Sequence, residues 1–203
     1  MDRLLDGYRR FRRDAWPDRR RLFERLADGG QQPRAMVITC ADSRVDPSMI
    51  FDTSPGELFV VRNVASLVPP YAPDAAHHGT SAALEFGVRV LGVQDLLVMG
   101  HALCGGVRAL LEGTPPEASD FVAQWMAMAE PAKQRTLAHA DKAEWQLRCE
   151  QETVKLTLDT LLSFPWIAER VTVGRLRLHG AHFDIRSGAL SVLGEDAEFA
   201  VVT

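Results

Sequence analysis

The sequence contains little cysteine and no long apolar run, and each shortage excludes a class of protein. Three cysteines in 203 residues are too few for a disulfide framework, which leaves metal binding, catalysis or packing as their uses. No apolar run reaches the ~18 residues of a membrane-spanning helix, and the residues after Met1 lack the pattern of a secretory signal peptide. We therefore expect a cytoplasmic protein without a membrane partner.

The chain also lacks an excess of positive charge. Its 27 Asp and Glu residues outnumber its 23 Lys and Arg residues, and the resulting net charge of −4 provides no general attraction to nucleic acid. The apolar fraction of 46% and the charged fraction of 25% are ordinary globular values, so neither disorder nor a fibrous fold is expected. The length suits one compact domain.

Residues 1–28 differ from the rest of the chain in composition. Many arginines alternate there with acidic residues, a mixture that favours a salt-bridged helix over a nucleic-acid surface. Leu4, Tyr8 and Phe11 recur at helical spacing, and this apolar stripe requires cover from its own domain or from a partner subunit. We expect a helical arm over 1–28 that wraps around a dimer partner, and one domain over 29–203.

Short apolar runs alternate with helical patterns along the rest of the chain. The apolar runs typical of strands lie at 35–39, 57–61, 95–99 and 189–193. Residues 175–180 alternate strictly, and together with 189–193 they predict a terminal hairpin. The helical patterns lie at 80–91, 105–112 and 120–163. This alternation predicts an α/β fold with a mostly parallel central sheet of four strands plus an antiparallel edge strand, flanked by helices.

Two of the predicted strands end at residues that bind metals. Cys40 follows the first strand, and His101 and Cys104 follow the third. Ligands bind beyond the carboxyl ends of parallel strands, so we expect these side chains to meet. Two thiolates and one imidazole suit Zn²⁺, and three protein ligands leave a fourth position for water, as in catalytic sites. Cys149 lies within a helical stripe, and we interpret it as a packing residue.

Asp42 is the carboxylate that follows Cys40 most closely, and Arg44 follows it two residues later. A free carboxylate beside zinc would bind the metal and displace its water. The guanidinium of Arg44 can bind the Asp42 carboxylate with two hydrogen bonds and would hold it away from the zinc. Asp42 could then accept a proton or a hydrogen bond from the zinc-bound water. A simple salt bridge within the loop is the alternative interpretation.

These motifs resemble those of the β-class carbonic anhydrases. The family pattern Cys-x-Asp-Ser-Arg matches residues 40–44, and His-x-x-Cys-Gly matches residues 101–105. Residues 55–63 resemble the second-strand motif of the family, and residues 176–180 resemble its terminal hairpin. The resemblance spans roughly residues 30–195. It implies a zinc enzyme, carbonate dehydratase, that reversibly hydrates carbon dioxide to bicarbonate and a proton.

The resemblance also implies roles for individual residues. Zinc would be bound by Cys40, His101 and Cys104. Asp42 and Arg44 would control the fourth position, and in an acidic-pH form of some members the matching Asp becomes the fourth ligand. The positions that match the substrate pocket of the family are Gln31, Phe59, Val64, Phe86 and Gly105.

Gln31 indicates the plant-like subtype of the family, because the subtype regulated by bicarbonate has Trp at this position. The resemblance implies that Gln31 donates a hydrogen bond to bicarbonate across a subunit interface. The chain departs from the family at Phe86, where many plant-like members have Tyr, and at Ala102, where Ser is frequent. Neither departure removes a metal ligand.

Zinc chemistry at this site predicts attack of activated water on an electrophilic carbon in a small apolar pocket. His77 and His78 are candidates for carrying the released proton from the site to the buffer. The alternative is that they are ordinary histidines of a surface loop. Hydrolysis of carbonyl sulfide or carbon disulfide, or a non-catalytic zinc-containing bicarbonate sensor, are the alternatives. We expect carbon dioxide, water and bicarbonate as ligands, and a homodimer or dimer-based higher oligomer.

Overall fold

The fold is built around one central β-sheet of six strands within the described residues. This computed structural model describes residues 1–74 and 76–203. The strands are β1 (Ala35–Cys40), β2 (Leu58–Asn63), β3 (Asp95–His101), β4 (Arg177–Phe183), β5 (Leu190–Leu193) and β6 (Phe199–Val201). Their order across the sheet is β2-β1-β3-β4-β5-β6, so the two strands that end at Cys40 and His101 are neighbours.

The predicted strand pattern is confirmed. The strands β2, β1, β3 and β4 are parallel, and β5 pairs antiparallel to β4. The structure adds β6, which pairs antiparallel to β5 and has three residues, too few to produce a sequence pattern. In β1 every residue after Ala35 is buried, as expected for a parallel strand covered on both faces.

Helices cover the sheet and extend the chain at its amino end. The α-helices are α1 (Asp2–Arg10), α2 (Trp16–Gly29), α3 (Pro47–Ile50), α4 (Gly79–Glu85), α5 (Gly105–Glu112), α6 (Val122–Ala127), α7 (Glu130–His139), α8 (Trp145–Leu161) and α9 (Pro165–Thr172). The helical pattern over 120–163 thus contains α6, α7 and α8. Pro131 lies in the first turn of α7, where its missing N–H costs nothing.

The core consists of apolar side chains between the sheet and its helices. Met36 and Ile38 of β1 and Leu96 of β3 pack in one cluster with residues of α4, α8 and α9. Helix α8 approaches β3 closely at Gly100, where a Cβ atom would lie 2.7 Å from Val154 Cγ2. Helix α8 therefore lies directly beside the end of β3 that leads to His101.

The amino-terminal helix contrasts with this core. A π-helical segment (Phe11–Ala15) joins α1 to α2, and Pro17 lies in the first turn of α2, which ends at Gly29. No residue between 2 and 29 is buried, and the side chains of Leu4 and Tyr8 are 72% and 58% exposed. Leu4 and Tyr8 of the predicted apolar stripe thus stay uncovered by their own chain, whereas Phe11 packs against Trp16 and Phe23. None of the helices that the structure describes is long and apolar enough to cross a membrane.

Candidate metal centre

The ends of β1 and β3 bring three metal-binding side chains together. The sulfur atoms of Cys40 and Cys104 are 4.0 Å apart, and all ligand atoms of Cys40, His101 and Cys104 lie within 4.8 Å of one another. All three residues are buried. Within residues 1–74 and 76–203, no other group of three His, Cys, Asp or Glu side chains has this geometry.

The donor atoms fit a tetrahedral zinc ion. Two sulfurs bound to zinc at ~2.3 Å would lie about 3.8 Å apart, close to the separation seen here. His101 Nδ1 lies 2.9 Å from the carbonyl oxygen of Ala102, so it is the protonated nitrogen, and Nε2 remains as the donor to a metal. His101 Nε2 is buried and has no hydrogen-bond partner among the described residues, which is unfavourable unless a ligand binds it.

The electrostatics of the three side chains also favour a cation. The hydrogen bond from the Cys104 thiol lowers the pKa of Cys40, and the same contact together with burial raises the pKa of Cys104. Burial opposes the charged form of His101, but the nearby Cys40 sulfur and its negative charge raise the pKa of His101 overall. The group therefore stabilises a thiolate, the form of cysteine that binds metals.

Asp42 and Arg44 form the ion pair that their spacing predicts. Arg44 Nε and Nη2 donate to Asp42 Oδ1 and Oδ2 at 2.9 and 2.7 Å, and the Arg44 backbone N–H also donates to Oδ1 at 2.9 Å. These bonds lower the pKa of Asp42 well below its usual range. Asp42 Oδ2 lies 3.9 Å from His101 Nε2, so the carboxylate faces the ligand group while Arg44 holds both of its oxygens.

Arg62 is a residue of the site that the sequence analysis missed. From β2, its guanidinium donates to the carbonyl oxygens of Cys40 at 3.0 Å, Asp42 at 2.5 Å and Val45 at 3.1 Å, and it pairs with Asp46 Oδ2 at 3.3 Å. It thereby fixes the loop that follows β1. The available signal was a charged residue directly after the apolar run of a buried strand, where a cation needs partners.

A cavity of about 690 Å³ lies beside the ligand loops. Its lining includes Ala41 next to Cys40, the predicted pocket residue Val64, and the candidate proton-export residues His77 and His78. His78 Nε2 lies 2.8 Å from a carboxylate oxygen of Asp74. The lining is mainly apolar, which suits a small neutral substrate.

The other predicted pocket residues lie elsewhere in the same chain. Phe59 and Phe86 pack together with ring centroids 5.9 Å apart, and Phe86 is 44% exposed. Gln31 is exposed between α2 and β1, and Gly105 starts α5 directly after Cys104. Within the described part of the chain, none of these four residues lines the cavity.

Comparisons with known proteins agree with this geometry. A family model described as carbonic anhydrase matches residues 35–190. Beta carbonic anhydrase 3 of Arabidopsis thaliana is 36% identical over 198 residues, which cover 95% of this chain and 76% of that protein. The structure of the β-carbonic anhydrase CcaA matches with a TM-score of 0.91 at 32% identity, covering 100% of this chain and 92% of that chain.

A third match is to enzymes described as tetramers. It comes from crystal structures of two tetrameric β-carbonic anhydrases of the filamentous ascomycete Sordaria macrospora. Its TM-score is 0.75 at 27% identity, and the match covers 100% of this chain and 95% of that chain.

Proposed function

Because the chain belongs to the β-class carbonic anhydrases, we propose that it reversibly hydrates carbon dioxide on a zinc ion bound by Cys40, His101 and Cys104. The observation that supports this most directly is His101 Nε2, a buried nitrogen that lacks a hydrogen-bond partner among the described residues and lies within reach of two thiols. When bound, zinc supplies a Lewis acid that lowers the pKa of its water.

Asp42 and Arg44 control the position left free by the three ligands. Asp42 accepts a hydrogen bond or proton at Oδ2, the oxygen that lies 3.9 Å from His101 Nε2. Arg44 holds Asp42 in its charged form and prevents it from moving onto the metal. In a closed state, Asp42 would leave Arg44 and would be the residue that holds the metal at the fourth position. The intact ion pair supports the open state for the described structure.

The substrate pocket is completed by a second subunit. Val64 and Gly105 lie next to the ligand loops of their own chain, whereas Gln31, Phe59 and Phe86 do not line its cavity. We assign these three residues to the pocket of the partner subunit. The exposed Phe86 ring and the uncovered arm support this arrangement, as does the tetrameric state of the Sordaria enzymes. We therefore assign a homodimer or dimer-based oligomer, in which residues 1–28 wrap around the partner and residues 29–203 form the catalytic domain.

His77 and His78 provide the route for the proton that hydration releases. Both line the cavity that also contains Ala41, and imidazole is the side chain that exchanges protons near neutral pH. A cytoplasmic location fits the three free, buried cysteines, because thiols persist in a reducing compartment.

Stopped-flow measurement of carbon dioxide hydration, on protein with a measured zinc content, tests this proposal. We expect activity that requires zinc at neutral and alkaline pH. One bound zinc per chain without activity at either pH would contradict it. In that case, turnover of carbonyl sulfide or carbon disulfide would identify the hydrolase alternative, and bicarbonate binding without turnover would identify a sensor.

A further inference from the structure

Two side chains of α8 hydrogen-bond to the backbone of Cys104. Glu150 Oε1 accepts the Cys104 backbone N–H at 2.9 Å, and Gln146 Nε2 donates to the Cys104 carbonyl oxygen at 3.1 Å. Gln146 Nε2 also donates to Glu150 Oε1 at 2.6 Å. Residues four apart lie on the same face of a helix, so one face of α8 holds both backbone polar groups of a single ligand residue.

Glu150 is buried where a charged residue needs a reason. Its exposure is 3%, and its second oxygen, Oε2, lies 3.0 Å from Nε2 of the equally buried His182 on β4. Replacing a buried charged pair by apolar side chains is often neutral or stabilising. Stability alone therefore does not explain a carboxylate at this position, whereas its bond to Cys104 does.

The loop that contains Cys104 needs such external contacts. Leu103 has φ of +59°, a left-handed conformation that a leucine rarely adopts and that persists only where the surroundings hold it. The Ala102 N–H donates to the Phe183 carbonyl oxygen at 2.9 Å, and Arg44 Nη2 donates to the Leu103 carbonyl oxygen at 3.2 Å. Helix α8 supplies the hydrogen bonds to the third residue of the loop.

We propose that Glu150 and Gln146 are positioning residues that hold the Cys104 sulfur in its ligating position before the metal arrives. His182 holds the second oxygen of Glu150 and so keeps the carboxylate in place. The pair then determines how tightly the metal binds and how strongly the Cys104 sulfur interacts with it. This inference rests on the proposed metal centre, but it does not depend on which substrate the enzyme turns over.

The test measures the metal and not the catalytic rate. Zinc affinity is determined by competition with a chelator, and cobalt(II) replaces zinc so that the thiolate-to-cobalt absorption band reports on the sulfur ligands. The variants are Glu150→Leu, Gln146→Leu and Glu150→Gln. The control is Thr157→Val, because Thr157 is equally buried on α8 and its hydroxyl has no hydrogen-bond partner among the described residues.

We expect Glu150→Leu to weaken zinc binding about 10- to 100-fold and to shift the cobalt band, the usual effect of losing a group that orients a metal ligand. Gln146→Leu should weaken binding about threefold to tenfold. Glu150→Gln keeps an acceptor oxygen for the Cys104 N–H and should stay within about threefold of the natural protein. Thr157→Val should match the natural protein in both readouts.

A purely structural role for Glu150 would lower the unfolding midpoint and leave the cobalt band in place. That result, or natural zinc affinity in folded Glu150→Leu and Gln146→Leu, would overturn the inference while leaving the proposed function intact. If Glu150→Leu does not fold by circular dichroism, the partly exposed Gln146→Leu decides alone. Failure of the natural protein to bind zinc or cobalt would overturn the proposed metal centre, and this inference with it.

Discussion

The carboxyl edge of the sheet and the amino-terminal helix differ in how many of their side chains pack or form hydrogen bonds within the same chain. At the edge, the ligand residues are buried, and Asp42, Arg44 and Arg62 form a connected set of hydrogen bonds around them. Along residues 2–29 nothing is buried, and the ion pairs are exposed ones that stabilise little. The candidate metal centre is therefore preorganised within one chain, whereas the arm packs few of its apolar side chains against its own chain.

The largest expected effect comes from removing a ligand at the preorganised edge. Cys104→Ala should weaken zinc binding by more than about 100-fold, beyond the effect of losing an orienting group, and should reduce hydration to background. Zinc content and stopped-flow rates measure this. Cys149→Ala is the matched control, because Cys149 is also buried but lies outside the ligand group, and it should retain both. One zinc per chain in Cys104→Ala would contradict the assigned ligand set.

Removing Arg44 should have a smaller effect at the same edge. Arg44→Ala releases Asp42 toward the metal, so zinc should remain bound while kcat/KM falls about 10- to 100-fold. Arg20→Ala removes an Arg–carboxylate pair of similar length in the arm and should leave kcat/KM unchanged. Equal rates for Arg44→Ala and the natural protein would show that the Asp42–Arg44 pair is only a loop salt bridge.

The contrast between the two regions also explains what could be predicted from the sequence. Cys40, His101 and Cys104 were predictable because each lies at or just after the end of an apolar run, and parallel strands end at a common edge. Asp42 and Arg44 were predictable because they are neighbours in sequence. The four parallel strands were equally clear, since buried runs of this length have few other uses.

Other features depend on packing, which the sequence pattern does not reveal. Arg62 reaches Cys40 from another strand, and Glu150 reaches Cys104 from a helix 46 residues further along the chain. Neither contact follows from local spacing. The three-residue strand β6 and the π-helical segment between α1 and α2 have no periodicity of their own. These were the features that only the structure revealed.

Deletion of residues 1–28 tests the proposal that the arm wraps around a partner subunit. Leu4, Leu5 and Tyr8 are exposed apolar side chains, and each buried one contributes roughly 1.5–3 kcal/mol. Self-association should therefore weaken at least about tenfold, as measured by sedimentation velocity. The truncated chain should still bind one zinc, because the ligands lie outside the arm. An unchanged sedimentation profile would show that the arm does not contribute to the interface.

The smallest expected effect on zinc binding and activity comes from Cys149, which distinguishes a packing thiol from a ligand thiol. Burial raises the pKa of Cys149 to about 11 from an ordinary value of 9.0. The folded state then holds its proton longer than the unfolded state, so this contribution is present below pH 9 and is lost as pH rises toward 11. The loss should be on the order of 2–3 kcal/mol, about 1.4 kcal/mol for each of the two pH units.

Chemical denaturation of the zinc-loaded protein at several pH values measures this change. The alkaline decrease in unfolding free energy should be smaller in Cys149→Ala than in the natural protein. Identical slopes in the two proteins would show that Cys149 is not a neutral, buried thiol in the folded state.

The central claim is that the edge of the sheet binds zinc with three protein ligands and that Arg44 keeps Asp42 off the metal. A crystal of the zinc-loaded protein at alkaline pH, with anomalous scattering recorded at the zinc edge, tests it most directly. We predict one zinc peak per chain, coordinated by Cys40 Sγ, His101 Nε2 and Cys104 Sγ, with Asp42 still paired to Arg44. A peak elsewhere, or Asp42 bound to zinc at that pH with Arg44 released, would contradict the account.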